Sequence, residues 1–204
     1  MQSIQTVSEN TIYVGASDRR LAKFENLFPI PRGVSYNAYV ILDEKTALLD
    51  TADASVGAQF LENVAAALDG RKLDYLIVDH MEPDHAAMIE AVLVRWPDLR
   101  LVVNAKTLPM LKMYFPTDNA AIDDALVVKE GDTLDLGKHK LTFVMAPMVH
   151  WPEVMMTFDT TTGTLFSADA FGTFGALEGA LFADEVDFAG KWLDDARRYY
   201  TNIV

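Results

Sequence analysis

Four side chains able to bind a metal ion fall within six residues, in the pattern His80-x-Glu82-x-Asp84-His85, directly after the apolar run 75–78. Such a run, bounded by polar residues, reads as a buried strand. Side chains of a chain leaving a strand alternate in direction, so His80, Glu82 and Asp84 can face one pocket while His85 turns in at the start of a following helix. Imidazole and carboxylate together suit divalent cations, and this density of ligands suits two ions better than one. The plainer alternative is a polar loop whose acids cap the next helix, since Asp84 precedes the apolar segment 86–96.

Two further segments weigh against that alternative. The chain has only four histidines, and His150 stands beside Pro147 and Trp151-Pro152 just after the apolar run 140–145. Asp169 follows a third run, Leu165-Phe-Ser-Ala-Asp169. Ligands delivered from three separate strand ends are how a rigid sheet holds a metal site. Glu82, Asp84 and Asp169 bring negative charge, and the three histidines bring neutral nitrogen. This mixed set suits iron or manganese, and two divalent ions with a bridging hydroxide would bring the site close to neutral. Ligand type alone leaves zinc open. His139, in the polar turn 137–140, reads as a solvated turn residue.

The elements that must position these residues come in two groups. β-rich segments at 11–14, 38–42 and 46–49 precede a helix at 56–68, in which Phe60, Leu61, Val64, Ala65 and Leu68 share one face and Gly70 supplies the cap. Strand 75–78, helix 86–96, strand 101–103 and helix 107–114 repeat that order. After residue 125 the pattern changes to hairpins: 126–128, 133–136 and 141–145 are joined by Gly131-Asp132 and Gly137-Lys138, and 155–158 turns through Thr162-Gly163 into 164–166. Residues 187–200 read as a last helix. Two β-rich halves with outer helices predict an α+β protein, an αββα sandwich with the metal site where strand ends meet. No linker or repeat divides the chain, so 1–204 is expected to be a single domain.

The motifs also carry a family resemblance. His80-x-Glu82-x-Asp84-His85, His150 in Val149-His-Trp-Pro152 and Asp169 in Phe166-Ser-Ala-Asp-Ala-Phe-Gly172 resemble the metallo-β-lactamase-like domain of the flavodiiron proteins. The likeness extends through Tyr36-Asn-Ala-Tyr39, Leu48-Leu-Asp-Thr51 and Arg198-Tyr-Tyr-Thr-Asn-Ile203. The zinc hydrolases of the superfamily have histidine where Glu82 stands. The resemblance implies one iron on His80, Glu82 and His150, a second on Asp84 and His85, and Asp169 between them. It implies reduction of oxygen to water, of nitric oxide to nitrous oxide, or both. The electrons would come from FMN on a flavodoxin-like domain supplied by a rubredoxin-type donor, in a homodimer. It makes Tyr200 a candidate catalytic proton donor. A seventh, histidine ligand falls beyond Val204 in the family, and so does the flavodoxin-like domain. The expected fold is therefore C-terminally incomplete, and FMN is expected on another domain or chain. Glu25 and Phe174 stand where the family often has histidines near the centre. The rival readings are a metal-dependent hydrolase of the same superfamily and a non-catalytic truncated fragment.

Composition narrows the classes further. With 204 residues, half of them apolar, the chain can bury a sizeable core. A formal charge of −13 and the scattering of Lys106, Lys112 and Arg197-Arg198 argue against a nucleic-acid surface or a polybasic membrane patch. The absence of cysteine excludes disulfides, thiolate nucleophiles and iron–sulfur ligation. The run 1–6 lacks the basic start and apolar core of a secretory leader, and no apolar run has the length of a membrane span, so the expected compartment is the cytoplasm. The many methionines, Met110, Met113, Met145, Met148, Met155 and Met156 among them, read as packing residues.

Overall fold

The computed structural model describes residues 3–115 and 120–204; Met1 and Gln2, which open the N-terminal run, lie outside the described residues. Seven strands form the first sheet in sequence order: β1 (Gln5–Ser8), β2 (Thr11–Tyr13), β3 (Tyr39–Leu42), β4 (Thr46–Leu49), β5 (Tyr75–Ile77), β6 (Arg100–Asn104) and β7 (Leu126–Val128). Pairing is antiparallel as far as β4 and parallel from β4 to β7. The change follows from the connections: short turns join β1 to β2 and β3 to β4, residues 14–38 return the chain from β2 to β3, and each parallel return needs a crossover. Helix α1 (Gly57–Leu68) makes the first crossover, α2 (Pro83–Ala86) and α3 (Ile89–Arg95) the second, and α4 (Thr107–Tyr114) lies in the third. The second sheet is a meander of β8 (Thr133–Asp135), β9 (Lys140–Met145), β10 (Met155–Asp159) and β11 (Thr164–Phe166).

Alternation along the parallel strands divides the core in two. Leu48, Leu76, Leu101 and Val103 face the helices and join Phe60, Val64, Ile89 and Val92. Ala47, Leu49, Ile77 and Val102 face the second sheet and meet Leu141, Phe143, Met155 and Phe166. A parallel sheet covered on both faces accounts for the nearly continuous apolar character of these strands. The far face of the second sheet is lined by half-buried Thr142, Met156 and Phe158 with exposed Val144 and Leu165. Helix α5 (Leu193–Asn202) packs its Tyr199 into the first core instead.

Several elements differ from their sequence-based bounds. The expected helix 86–96 begins earlier, at Pro83, and is interrupted near Met88, which has φ −96° and ψ 4°. Proline at the first helical position suits its fixed φ and missing N–H, and so draws Asp84 and His85 into the first turn. The last helix is likewise divided, into Phe188–Lys191 and α5. Helix α1 ends on Asp69, whose φ of 47° is left-handed, one residue before Gly70. Among the described residues no helix is long and apolar enough to cross a membrane.

Candidate metal centre

Strand ends from both sheets converge at one edge of the sandwich. The chain leaves β5 through Val78 and Asp79 into His80, and the Met155 N–H donates to Asp79 O at 3.0 Å, joining the second sheet to the first there. Glu82 lies at the N-terminus of α2 with no side-chain capping bond, so its carboxylate is free to face inward. Asp84 and His85 are buried in that helix rather than displayed as solvated caps, which overturns the capping-loop alternative. His150 comes from the loop between β9 and β10, and Asp169 from the loop after β11.

These side chains form two groups, His80–Glu82–His150–Asp169 and Asp84–His85–Asp169, in each of which the candidate ligand atoms lie within 4.8 Å of one another. In the first, His150 Nε2 is 2.9 Å from Glu82 Oε2 and 3.0 Å from Asp169 Oδ2, while His80 Nε2 is 3.4 and 3.3 Å from the same two oxygens. In the second, His85 Nε2 is 3.1 Å from Asp169 Oδ1 and 3.6 Å from Asp84 Oδ2. Asp169 thus divides its two oxygens between the groups. His80 Nε2, Asp84 Oδ1 and Asp169 Oδ2 are buried yet make no hydrogen bond. Buried polar atoms are rarely left so, and a divalent cation in each group would satisfy all three. A cavity of about 50 Å³ adjoins Asp84, His85 and Asp169, bounded by Phe24, Tyr36, Asn37 and Thr173, and has room for a few water-sized molecules.

The electrostatics are those of a cation site. Burial disfavours the charged form of His80, but the carboxylates of Asp169, Glu153 and Glu82 outweigh it and push the pKa up to about 10. His150 rises to about 9 in the same way, against burial and through Asp169 and Glu82. His85 is driven well above its ordinary value by Asp84 and Asp169, again against burial. Asp84 is raised by burial to about 7, with His85 pulling the other way. Asp169 is buried too, yet His85, His150 and His80 hold it far below the usual carboxylate range.

All six sequence-derived candidate ligands therefore meet. Trp151 sets its ring edge-on against His80, with centroids 5.3 Å apart, and packs on His150 at 6.2 Å. Tyr200 is turned away: it is half-exposed, and its hydroxyl accepts the Phe171 N–H at 3.0 Å. The residue that reaches the centre from α5 is its neighbour Tyr199, buried, with its hydroxyl donating to Asp169 Oδ1 and its ring T-stacked on Phe174 at 5.1 Å. Phe174 packs against Phe24 and Phe28 beneath that ring. Glu25 is exposed but close enough to Glu82 that burial and this like charge raise its pKa. His139 corrects the expectation of a solvated turn. It is 1% exposed, with Nδ1 at 2.8 Å from Asp159 Oδ2, because the β8–β9 turn folds against the end of β10.

Sequence reasoning passed over three buried acids beside the ligands. Asp50, at the end of β4, approaches His85; Glu153, just before β10, approaches His80; and Asp79 accepts from Thr157 Oγ1 at 2.8 Å. For Asp50 and Asp79 the available signal was an acid placed just past an apolar strand, the same signal that identified Asp169; Glu153, ahead of β10, offered none.

Residues 34–200 match the family described as ODP family beta lactamase. A nitric oxide reductase of Moorella thermoacetica is 37% identical over 200 residues, which cover 97% of this chain and 49% of that protein. Among solved structures, the rubredoxin oxygen:oxidoreductase from Desulfovibrio gigas is similar with a TM-score of 0.90 at 31% identity, covering 98% of this chain and 49% of that one. The flavodiiron protein from Giardia intestinalis is similar with a TM-score of 0.89 at 27% identity, covering 100% of this chain and 48% of that one. The chain spans about half the length of the relatives it matches.

Proposed function

Because this chain belongs to the ODP family of β-lactamase-like domains and is similar along its length to flavodiiron proteins, we propose that it is the diiron half of an oxidoreductase that reduces oxygen, nitric oxide or both. The observation that carries this reading is Asp169, which offers one oxygen to each of two convergent ligand groups. His80, Glu82 and His150 would hold one iron, Asp84 and His85 the other, with Asp169 bridging. Glu82 favours iron over the hydrolytic alternative, because a carboxylate stands where the zinc hydrolases have imidazole.

Two ferrous ions would supply two electrons and concentrated positive charge to a bound diatomic, enough to convert two nitric oxide molecules and two protons to nitrous oxide and water. The chain's part is to hold the ligands at fixed spacing and to restrict the volume around the second position. Tyr199 holds Asp169 in its bridging orientation, and its ring, backed by Phe174, lines the pocket. Of the two adjacent tyrosines, Tyr199 is the one we assign to the centre. Repeated turnover requires electrons from FMN on another domain or chain. A rubredoxin-type donor is suggested by the name of the Desulfovibrio gigas protein, and a homodimer by the flavodiiron family.

Single turnover tests the reading without that supply. The chain loaded anaerobically with two equivalents of ferrous iron and given excess nitric oxide should release about one nitrous oxide per two irons, measured by gas chromatography. Oxygen uptake by the same preparation measures the other substrate. Hydrolysis of ester or amide substrates by the zinc-loaded chain, with neither gas consumed by the ferrous chain, would refute the proposal.

A further inference from the structure

Two buried carboxylates outside both ligand groups face the far nitrogens of two of the imidazoles. Glu153, 1% exposed, places Oε1 at 2.7 Å from His80 Nδ1 and accepts the Met81 N–H at 3.0 Å with the same atom. Asp50, 5% exposed, places Oδ2 at 3.0 Å from His85 Nδ1 and through Oδ1 accepts the Asp79 N–H at 2.7 Å and the His80 N–H at 3.4 Å. An ionised carboxylate only accepts, so each imidazole must carry a proton on Nδ1, which leaves Nε2, once deprotonated, as the atom turned toward its ligand group.

The two contacts are built from different parts of the fold. Glu153 belongs to the loop entering β10, and its backbone carbonyl accepts from Asn104 Nδ2 at 2.6 Å. Asp50 follows β4 in the other sheet, with φ 53°, a conformation that asparagine and aspartate tolerate better than most side chains. Glu153 Oε2 is buried and makes no hydrogen bond.

We propose that Glu153 and Asp50 are positioning residues, one for each metal position: Glu153 aims His80 at the position shared with Glu82 and His150, and Asp50 aims His85 at the position shared with Asp84. This assignment rests on the metal-binding reading above. It makes the two positions separately adjustable from outside their ligand groups, with a ligand-fixing carboxylate on each side of Asp169.

The test uses the full chain, labelled with ¹⁵N-histidine and loaded with zinc alone as a diamagnetic probe. Metal content is measured after dialysis against graded chelator, and the imidazole Nδ1–H signals are followed by NMR. E153Q keeps a carbonyl acceptor without the charge, E153L removes both, and D50N keeps an acceptor at the left-handed position. The unaltered chain is expected to show slowly exchanging Nδ1–H signals for His80 and His85. E153L should lose the His80 signal and weaken retention at one position by about 10- to 100-fold, with the His85 signal intact. E153Q should keep the His80 signal with a smaller loss of metal, and D50N, which retains an acceptor for the Asp79 and His80 N–H groups, should disturb His85 and the other position far more than His80. Unchanged zinc retention in E153Q and D50N, or equal loss at both positions from either, overturns the assignment even if E153L fails to fold. An unaltered chain that takes up no metal at all overturns the metal reading first, and this inference with it.

Discussion

Acidification should strip metal from this centre in proton-coupled steps whose number is set by the histidines. With pKa values pushed to about 10 and about 9, His80 and His150 both carry protons at neutral pH, and both must lose them before Nε2 can bind a cation. Binding at the position they share should therefore release about two protons per ion. Its affinity should rise about 100-fold per pH unit until His150 titrates near 9, about tenfold per unit from there to 10, and level off above. From pH 8 to pH 7 the loss is about 100-fold, equivalent to about 2.7 kcal/mol. The second position should release about one proton from His85 and part of another from Asp84, which is raised to about 7. Calorimetric zinc titrations in two buffers of different protonation heat count these protons, and chelator competition gives the slope. Release of fewer than one proton at the tighter position, or less than tenfold weakening from pH 8 to 7, would falsify the claim that the carboxylates hold these imidazoles charged. The metal-free fold should depend on pH in the opposite direction. Raised histidine pKa values stabilise it fully below 6.5, and that contribution is lost as pH rises through about 9 and 10. Asp169 and Glu82, both depressed, stabilise it above their ordinary values and cease to do so toward acid. The thermal midpoint of the chelated chain should therefore fall between pH 6.5 and 10, and saturating metal should flatten that fall.

The remaining expectations concern single positions. At limiting metal, anomalous diffraction should show a strong peak among His80, Glu82, His150 and Asp169 and a weaker one beside Asp84 and His85, because the first group offers more ligands; equal peaks at partial loading would contradict the ligand assignment. Replacing Glu82→His exchanges an anionic oxygen for imidazole, so the ratio of zinc to iron taken up from a mixture should rise, and an unchanged ratio would remove Glu82 as the selecting ligand. Tyr199→Phe keeps the ring on Phe174 but removes the donor to Asp169. A hydrogen bond to a charged group contributes about 1.5–3 kcal/mol, which for a chain of this size lowers the midpoint by about 3–12 °C. An unaltered melting curve would show that the hydroxyl does not hold Asp169, and Tyr200→Phe serves as the control with little expected effect.

The convergence of the candidate ligands was legible in the sequence because they are dense and follow apolar runs: strand alternation turns His80-x-Glu82-x-Asp84-His85 toward one pocket without knowledge of the rest of the fold. Their supports were not. Asp50 lies 35 residues from His85 and Glu153 73 residues from His80. An isolated acid at a strand end has the same local pattern whether it faces solvent or a ligand, so only the sheet order distinguishes the two cases. His139 failed for the same reason, since a Gly-Lys-His-Lys turn reads as solvated until Asp159, 20 residues on, closes over it. For Tyr199 and Tyr200 the obstacle was angular. Neighbours on a helix point about 100° apart, so an error of one residue in register exchanges the buried tyrosine for the exposed one.

The supports also explain why the site demands cations. Asp50, Asp79, Glu82, Asp84, Glu153 and Asp169 are six buried acids set around the three buried or half-buried histidines of the centre. Even with every imidazole protonated the acids stay in excess, and the chain relieves part of that excess by protonation. Asp79, fully enclosed beside Asp50, is raised well above its ordinary value, and Asp84 is raised to about 7. Two divalent ions would offset most of the remaining charge while leaving the imidazoles neutral and Asp84 ionised, as ligation requires. A fold stabilised by apolar burial alone would have little use for six acids at one edge of its sandwich, where each costs desolvation free energy unless it is paired. Their concentration at the ends of β4, β5 and β11, and just ahead of β10, is the physical sign that this edge was built around positive charge.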